Sequence, residues 1–331
     1  MTTAGVHRDE HLYMPYIEPI CNRYKLGHLL AVGGRLGGYY NVTVKIKTDL
    51  GRYVIRLLNA AGSEAQLKEL QPMLTRLHES AIPVPVPLTL DNGSCYMMHE
   101  GTLIQVTSYM IGDRFRCRER QVLSSGEMLR RYHDRQQGHL FQSKPAHSFY
   151  QSNDYYRHAL ENLRRMAMIP AHELDHMERL SEGILSQWDQ ADSSLPHTII
   201  HGDWHLWNQL YSRMDDQVIG VMDFDYVQAG IRIYDVAYAL WSIYALLPEQ
   251  AEVFDEKFLA GYGELTERER EILPAAVSRI ALYFMCYTTE AADPGERWKT
   301  QYKRQIPLLE WLQGEGGSRI KRLAEGVRGQ T

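Results

Sequence analysis

Eight consecutive residues, His201-Gly202-Asp203-Trp204-His205-Leu206-Trp207-Asn208, set an aspartate and an asparagine five positions apart. Asp223, in Val221-Met222-Asp223-Phe224-Asp225, follows twenty positions after Asp203. Strand-like residues flank both stretches, which puts Asp203 and Asn208 on one loop and Asp223 at the end of the next hairpin. Phosphoryl transfer from a nucleotide needs such a set. One carboxylate accepts the proton of the attacking hydroxyl, while a carboxylate and an amide oxygen hold Mg²⁺ against the phosphates. Taken singly, each aspartate reads as a turn or strand-end carboxylate; the joint spacing is what points to chemistry.

The surrounding pattern falls into two halves. From about residue 26 to 111 it is strand-like. Val42, Val44 and Ile46 alternate with polar residues, a turn at Asp49-Leu50-Gly51 follows, and Tyr53–Leu58 returns, predicting a hairpin. A helix is expected from Ser63, with Gln66 in capping-box position and Leu67, Leu70, Leu74 and Leu77 as its apolar stripe. Pro72 inside that stripe should kink or restart it. Ile82–Pro87, with every second residue proline, must be extended, and further strands are expected at Cys95–Met98 and Leu103–Met110. Beyond Gly112 helical spacing dominates, over Ser124–His133, Asp154–Met168, His172–Trp188, Tyr234–Leu247 and Ala275–Tyr287. Strands at Thr198–Ile200, Gln209–Ser212 and Val218–Phe224 interrupt the helices around the candidate loop.

Composition narrows the function class. The chain has 331 residues, about two domains' worth. Its 36 Lys plus Arg against 41 Asp plus Glu give a net charge of −5, which argues against nucleic acid as a partner. At 44 % hydrophobic and 23 % charged residues it can build a sizeable core. Cys21, Cys95, Cys117 and Cys286 form no CxxC pair and read as free thiols. The N-terminal stretch lacks signal-peptide character, and the longest apolar run, Val236–Leu247, is too short to span a membrane. A cytoplasmic protein with no membrane partner is the expectation.

The D-x-x-x-x-N spacing and the D-F-x that follows match the catalytic loop and magnesium motif of kinases. With H-G-D in place of H-R-D, and with Arg232-Ile233-Tyr234-Asp235-Val236-Ala237 further on, the chain resembles the aminoglycoside phosphotransferase and choline kinase-like family, which phosphorylates small molecules. Gly126–His133 is similar to that family's G-x-x-L-x-x-x-H helix, and Ile82–Pro87 to its connector. The resemblance covers nearly the whole chain. It implies an α+β, two-lobed protein-kinase-like fold, with a small mainly β N-lobe over residues 1–110 and a larger mainly helical C-lobe over 111–331. It implies ATP or GTP and Mg²⁺ as cofactors, Asp203 as catalytic base, Asn208 and Asp223 as metal ligands, and Asp235, with His201, as support for the loop. Asp225 stands where protein kinases have glycine; choline kinase-like members carry an acid there, and the resemblance makes Asp225 a candidate acceptor-site residue.

On the nucleotide side, Gly33-Gly34-Arg35-Leu36-Gly37-Gly38 is expected between two strands, where Gly34, Gly37 and Gly38 either present N–H groups to phosphates or make a tight hairpin. Arg56 occupies the place of the phosphate-binding lysine; choline kinase-like proteins are similar in using arginine, whose donor fork suits phosphate. Glu69 is its expected helix partner, with Glu64 as the alternative and Lys45 as a second candidate cation. Tyr109-Met110-Ile111 is the expected adenine hinge, with Tyr109 and Ile111 at its ends.

The acceptor is a small molecule whose identity the sequence leaves open among aminoglycoside, choline-like amine, homoserine-like amino acid and sugar. Trp241, Tyr244, Tyr283, Trp298 and Tyr302 lie in the half where this family builds its acceptor pocket, and Trp241 and Trp298 are the aromatic candidates. Glu290, Asp293 and Glu296 would suit a polyamine. Three rival readings stand beside this one. A non-catalytic kinase-fold protein, of the kind found among spore-coat-associated relatives, would bind without turnover. His172-Glu173-Leu174-Asp175-His176 spells H-E-x-x-H, a zinc-hydrolase pattern, but no glutamate follows between Gly183 and Leu195 as third ligand. Protein-kinase activity is disfavoured by H-G-D and by the lack of an A-P-E segment. Oligomeric state is not legible.

Overall fold

The computed structural model describes residues 10–37, 41–58, 63–191 and 195–326. The chain divides into two compact units, residues 1–112 with 220–222, and residues 113–219 with 223–331.

In the first unit, helix α1 (Glu10–Arg23) precedes strands β1 (Leu29–Gly37), β2 (Val42–Thr48) and β3 (Arg52–Leu58). Helix α2 (Ser63–Glu79) and strands β4 (Met97–His99) and β5 (Thr102–Ser108) complete it. The strands form one antiparallel sheet in the order β1-β2-β3-β5-β4. The alternation in β2 and β3 does what it predicts: Val44, Ile46 and Ile55 point into a core shared with Ile104 and Val106. Helix α1, which carries no sequence prediction, covers that core with Ile17 and Ile20, and Tyr24 just after it joins them, its hydroxyl donating to the Ile104 carbonyl at 3.2 Å. Each such aliphatic side chain contributes roughly 1.5–3 kcal/mol on burial. The stripe Leu67, Leu70, Leu74 and Leu77 is buried as expected. Helix α2 continues through Pro72 without restarting. After it the proline-rich stretch is extended, with Pro87 bridging to Thr107.

The glycine-rich segment departs from expectation. Gly33, Gly34 and Gly37 do not form a turn between strands; they lie inside β1, paired to β2. The register shifts between Val32 and Arg35 and again between Arg35 and Gly37, so the glycines lie at bulges in the strand. A Cβ on Gly33 would approach the Lys45 carbonyl to 3.2 Å. Gly38 lies outside the described residues.

The second unit holds α3 (Glu119–Gln136), α4 (Asn153–Arg164) and α5 (Ala171–Ala191), then β6 (His197–Ile200), β7 (Gln209–Tyr211), β8 (Val218–Val221) and β9 (Gln228–Ile231). Helices α6 (Ile233–Leu246), α7 (Ala251–Tyr262), α8 (Glu267–Cys286), α9 (Pro294–Leu312) and α10 (Glu315–Gly326) follow. The last two residues of β8 belong with the first unit, where the Val221 N–H donates to the Pro83 carbonyl at 2.7 Å. Strand β6 pairs antiparallel with β9, and β7 forms a hairpin with β8. Helix α6 is buried on nearly every face, as its all-round apolar sequence demands. Helices α3 and α7 cross at two glycines: a Cβ on Gly126 would sit 2.2 Å from the Phe258 carbonyl, and one on Gly261 2.0 Å from that of Leu123. Gly126 is therefore fixed by packing. Arg232 grips Glu269 through two bonds of 2.9 and 2.6 Å, and Glu269 also closes the capping box with Thr266 at the start of α8. The segment Glu267–Glu290 is apolar and long enough to cross a membrane, but 83 % of that stretch is buried inside this unit.

Candidate active site

Strand β6 delivers the chain to His201 and ends there, because the next residues leave the sheet. Gly202 has φ +82, and a Cβ there would lie 2.4 Å from the Tyr226 carbonyl, so only glycine brings this backbone against the turn after Asp223. Beyond it the loop alternates. Trp204 and Leu206 are buried, and the Trp204 indole N–H reaches Ser125 on α3 at 3.2 Å. His205 and the half-exposed Trp207 face the other way, and Trp207 meets the edge of Phe115 at 5.7 Å. Residues 206–208 close as one 3₁₀ turn that presents Asn208.

The Asn208 amide N–H group donates to the Asp203 carbonyl at 3.0 Å and to Asp203 Oδ2 at 2.9 Å. This fixes the amide so that its oxygen is the atom turned away from Asp203. His205 Nε2 stands 3.6 Å from Asp203 Oδ1. Burial pushes the Asp203 carboxyl up to about 7; hydrogen bonds from Tyr238 and Asn208 pull it down, and the charges of Asp225 and Asp235 add to the rise.

Asp235, in the first turn of α6, braces the loop from beneath. Its Oδ2 accepts from the His201 N–H at 2.8 Å and its Oδ1 from the Gly202 N–H at 2.9 Å. His133 of α3 lies with Nε2 3.0 Å from Asp235 Oδ2 and Nδ1 2.9 Å from the Tyr262 hydroxyl. His133 and Asp235 are both wholly buried, so the loop hangs on a network that water does not reach.

Asp223 has φ 64 and ψ 68, a left-handed conformation that a residue with a side chain adopts only where its surroundings enforce it. Phe224 then packs on the His201 ring at 4.9 Å, which ties the turn to the loop that carries Asp203. Asp225 follows in the 3₁₀ turn Phe224–Tyr226, close enough to Asp203 to act on it by charge. An asparagine oxygen and a carboxylate are hard donors of the kind Mg²⁺ prefers, and the fixed amide of Asn208 leaves its oxygen for that use.

In the first unit, Arg56 sits in mid-β3 between Thr43 and Gln105, and Glu69 sits on α2. Glu64, the alternative partner for Arg56, is taken by Lys68 at 2.8 Å and by the Tyr96 hydroxyl at 2.6 Å. The Lys45 ammonium lies over the Tyr109 ring, 4.0 Å from its centre. The Tyr109 N–H is committed to the Arg52 carbonyl at 2.9 Å, and Ile111 is exposed. A base edge read at this hinge would have to meet the other backbone groups of residues 109–111.

The aromatic candidates are packing residues in their visible contacts. Trp298 is buried in the contact of α5 with α9, its indole donating to Glu173 at 2.6 Å. Trp241 stacks on Phe284 at 4.3 Å and donates to Gln305 at 3.0 Å. The H-E-x-x-H residues serve the same helix contact, since His176 faces Tyr302 and Glu310, each at 3.3 Å. A cavity of about 680 Å³ opens in this unit, lined by Ser148, Gln151, Gln228, Tyr283 and Glu290 among others. Phe149, beside Ser148, stacks on Tyr226 at 4.4 Å and on Tyr238 at 5.5 Å. Sequence reasoning placed His205 on the loop without giving it a role, and missed Tyr238. Their signal was positional, His205 lying two residues after Asp203 and Tyr238 one helical turn after Asp235.

Residues 33–272 match the profile of the phosphotransferase enzyme family known as APH. A homoserine kinase of Methylobacillus glycogenes is 29 % identical over 234 residues, covering 67 % of each chain. One from Methylobacillus flagellatus is 27 % identical over 227 residues, again 67 % of each. Among solved structures, a microcompartment-associated aminopropanol kinase superposes with a TM-score of 0.70 at 15 % identity, covering 92 % of this chain and 99 % of its own. The amicoumacin kinase hAmiN, solved with AMP-PNP, Ca²⁺ and Ami, gives 0.65 at 15 % identity, covering 89 % and 94 %. A choline/ethanolamine kinase family protein of Mesorhizobium loti gives 0.63 at 17 %, covering 96 % and 98 %.

Proposed function

The chain belongs to the phosphotransferase enzyme family, and from that premise we propose that it transfers the γ-phosphate of ATP or GTP, with Mg²⁺, to the hydroxyl of a small amino alcohol or hydroxy amino acid. It is a small-molecule kinase, and homoserine is the first acceptor to test, because two homoserine kinases are among its relatives. The observation that carries the reading is the grip of Asn208 on Asp203 at 2.9 Å, which aims one group at the acceptor and the other at a cation.

Asp203 takes the proton as the acceptor oxygen forms its bond to phosphorus and the bond to the leaving nucleotide oxygen breaks. Asn208 and Asp223 would hold Mg²⁺, which when bound would neutralise charge on the phosphates. Gly202, His201 and Asp235 keep the loop rigid, so that geometry does not have to be found anew at each turnover. Within the sheet unit, Arg56, Gly34 and Gly37 are the groups proposed for phosphate, with Glu69 steadying Arg56. The cavity beside Gln228 is the proposed acceptor site, with Glu290 for the ammonium group.

The test is ADP release from Mg·ATP or Mg·GTP across homoserine, aminopropanol, choline, ethanolamine and aminoglycosides, with the phosphorylated product identified by mass. A parallel thermal-shift titration reads nucleotide binding directly. A ligand at 100 times its Kd adds about 2.7 kcal/mol, and the Mg²⁺-dependent part of the shift should vanish in Asp223→Ala. Nucleotide binding with no transfer to any acceptor would overturn the catalytic reading.

A further inference from the structure

His205 is a partly buried imidazole in the catalytic loop to which the scheme above gives no task. Its Nδ1 accepts the Trp207 backbone N–H at 3.2 Å, the capping bond of the 3₁₀ turn. A ring nitrogen that accepts carries no proton, so the single proton of a neutral imidazole belongs to Nε2. Burial favours the neutral ring, holding its conjugate acid down at about 4. Nε2 is the atom that stands 3.6 Å from Asp203 Oδ1. The ring is also clamped, lying nearly parallel to Tyr238 at 6.5 Å and meeting Trp207 edge-on at 5.8 Å. Three donors thus surround the Asp203 carboxylate: Oδ2 takes the Asn208 amide, Oδ1 faces His205, and the Tyr238 hydroxyl hydrogen-bonds to it as well.

We propose that His205 is a positioning residue for phosphoryl transfer, its Nε2–H holding Asp203 Oδ1 so that the carboxylate presents its remaining lone pairs to the acceptor hydroxyl. The inference rests on Asp203 being the base. His205 neither gives nor takes the transferred proton; that proton passes from the acceptor oxygen to Asp203 while the O–P bond forms. The 3.6 Å separation shortens to a hydrogen bond when substrate closes the site. The tautomer is set from the far side of the ring by Trp207's own backbone, so the loop's turn and the aim of its base are one device.

Two substitutions separate this role from packing. His205→Gln keeps an N–H near the place of Nε2, whereas His205→Asn keeps only a group near Nδ1. With Mg·ATP and homoserine, kcat should fall roughly 10- to 100-fold in His205→Asn, KM for ATP should stay within twofold, and His205→Gln should recover most of kcat. A purely structural role would move both variants and both parameters together. A second measurement does not depend on turnover. In the full chain with ¹⁵N-labelled histidine at pH 7.5, the His205 resonances, assigned by loss in His205→Gln, should show the Nε2–H tautomer. Its Nε2 proton should shift upfield in Asp203→Ala and stay put in Asp225→Ala. An Nδ1–H tautomer, an imidazolium, or an Nε2 proton indifferent to Asp203→Ala would overturn the proposal. Absence of turnover in the wild type would instead count against the kinase reading, with the resonances still deciding the geometry.

Discussion

Asp235 accepts the backbone N–H of Gly202 at 2.9 Å from 33 residues away in the chain, across the join between α6 and the catalytic loop. Asp235 is wholly buried. Its two oxygens meet the His201 and Gly202 N–H groups and the His133 ring, so three donors converge on one buried carboxylate. The backbone on which Asp203 sits is therefore held by the buried acid in the first turn of α6.

Asp235→Asn supplies one acceptor oxygen where two are needed and turns an NH₂ group toward a donor. The expected loss is about 1–3 kcal/mol, the range for leaving a buried polar group unsatisfied, read as a fall of several degrees in melting temperature. Because the same N–H groups carry the loop, kcat should fall with it. An unchanged melting temperature would show that the loop does not depend on these bonds.

Gly202→Ala places a Cβ 2.4 Å from the Tyr226 carbonyl at φ +82. The left-handed strain alone costs about 1–3 kcal/mol, and the clash must push the loop away from the turn after Asp223. We expect a folded but less stable protein with less than a tenth of the wild-type kcat. The contrast is Gly93→Ala, where a Cβ would meet nothing within 4 Å despite φ +79, and which should lose stability without losing activity.

The raised Asp203 carboxyl makes stability depend on pH. Its folded value of about 7 lies above the unfolded value near 3.9, so the folded protein holds the proton more tightly. Stability is then lost as pH rises from about 4 to about 7 and stays low above that window. Asp203→Asn cannot ionise and escapes this loss. In metal-free buffer containing EDTA, its melting temperature relative to wild type should be higher at pH 8 than at pH 5. An equal difference at both values would rule out the assignment.

Glu290 lines the cavity beside Tyr283 and is exposed to it. If the acceptor carries an ammonium group there, Glu290→Gln should raise its KM several-fold with kcat unchanged and KM for ATP untouched. A kcat effect without a KM effect would place the acceptor elsewhere. Trp298→Phe serves as the control: it loses the bond to Glu173 and should cost stability but not acceptor affinity.

The hairpin β2–β3 and the stripe of α2 were legible because alternation and three-four spacing map directly onto a buried face. So was the spacing of Asp203, Asn208 and Asp223, since a loop motif keeps its residues close in sequence. Helices α1, α7, α9 and α10 were not legible. Their apolar residues are interrupted by charge, and what buries them is contact with other helices that no local window contains. Gly33–Gly37 misled, because a glycine run signals a turn and a bulged strand equally. The brace from His133 through Asp235 to Gly202 was half legible: Asp235 could be singled out, but its link to His133 spans 102 residues. Trp241 and Trp298 show the reverse case, in which residue type suggested a binding role and packing accounts for both.

The most direct test of the account is the rate of phosphate transfer from Mg·ATP to the turned-over acceptor by Asp203→Ala beside the wild type. With the fold verified by circular dichroism and ATP binding by thermal shift, kcat should drop about 10²–10⁴-fold while KM for ATP changes little, the signature of a lost base at an intact nucleotide site. Transfer by Asp203→Ala at the wild-type rate would contradict the assignment of Asp203 as the base and, with it, the chemistry drawn from this loop.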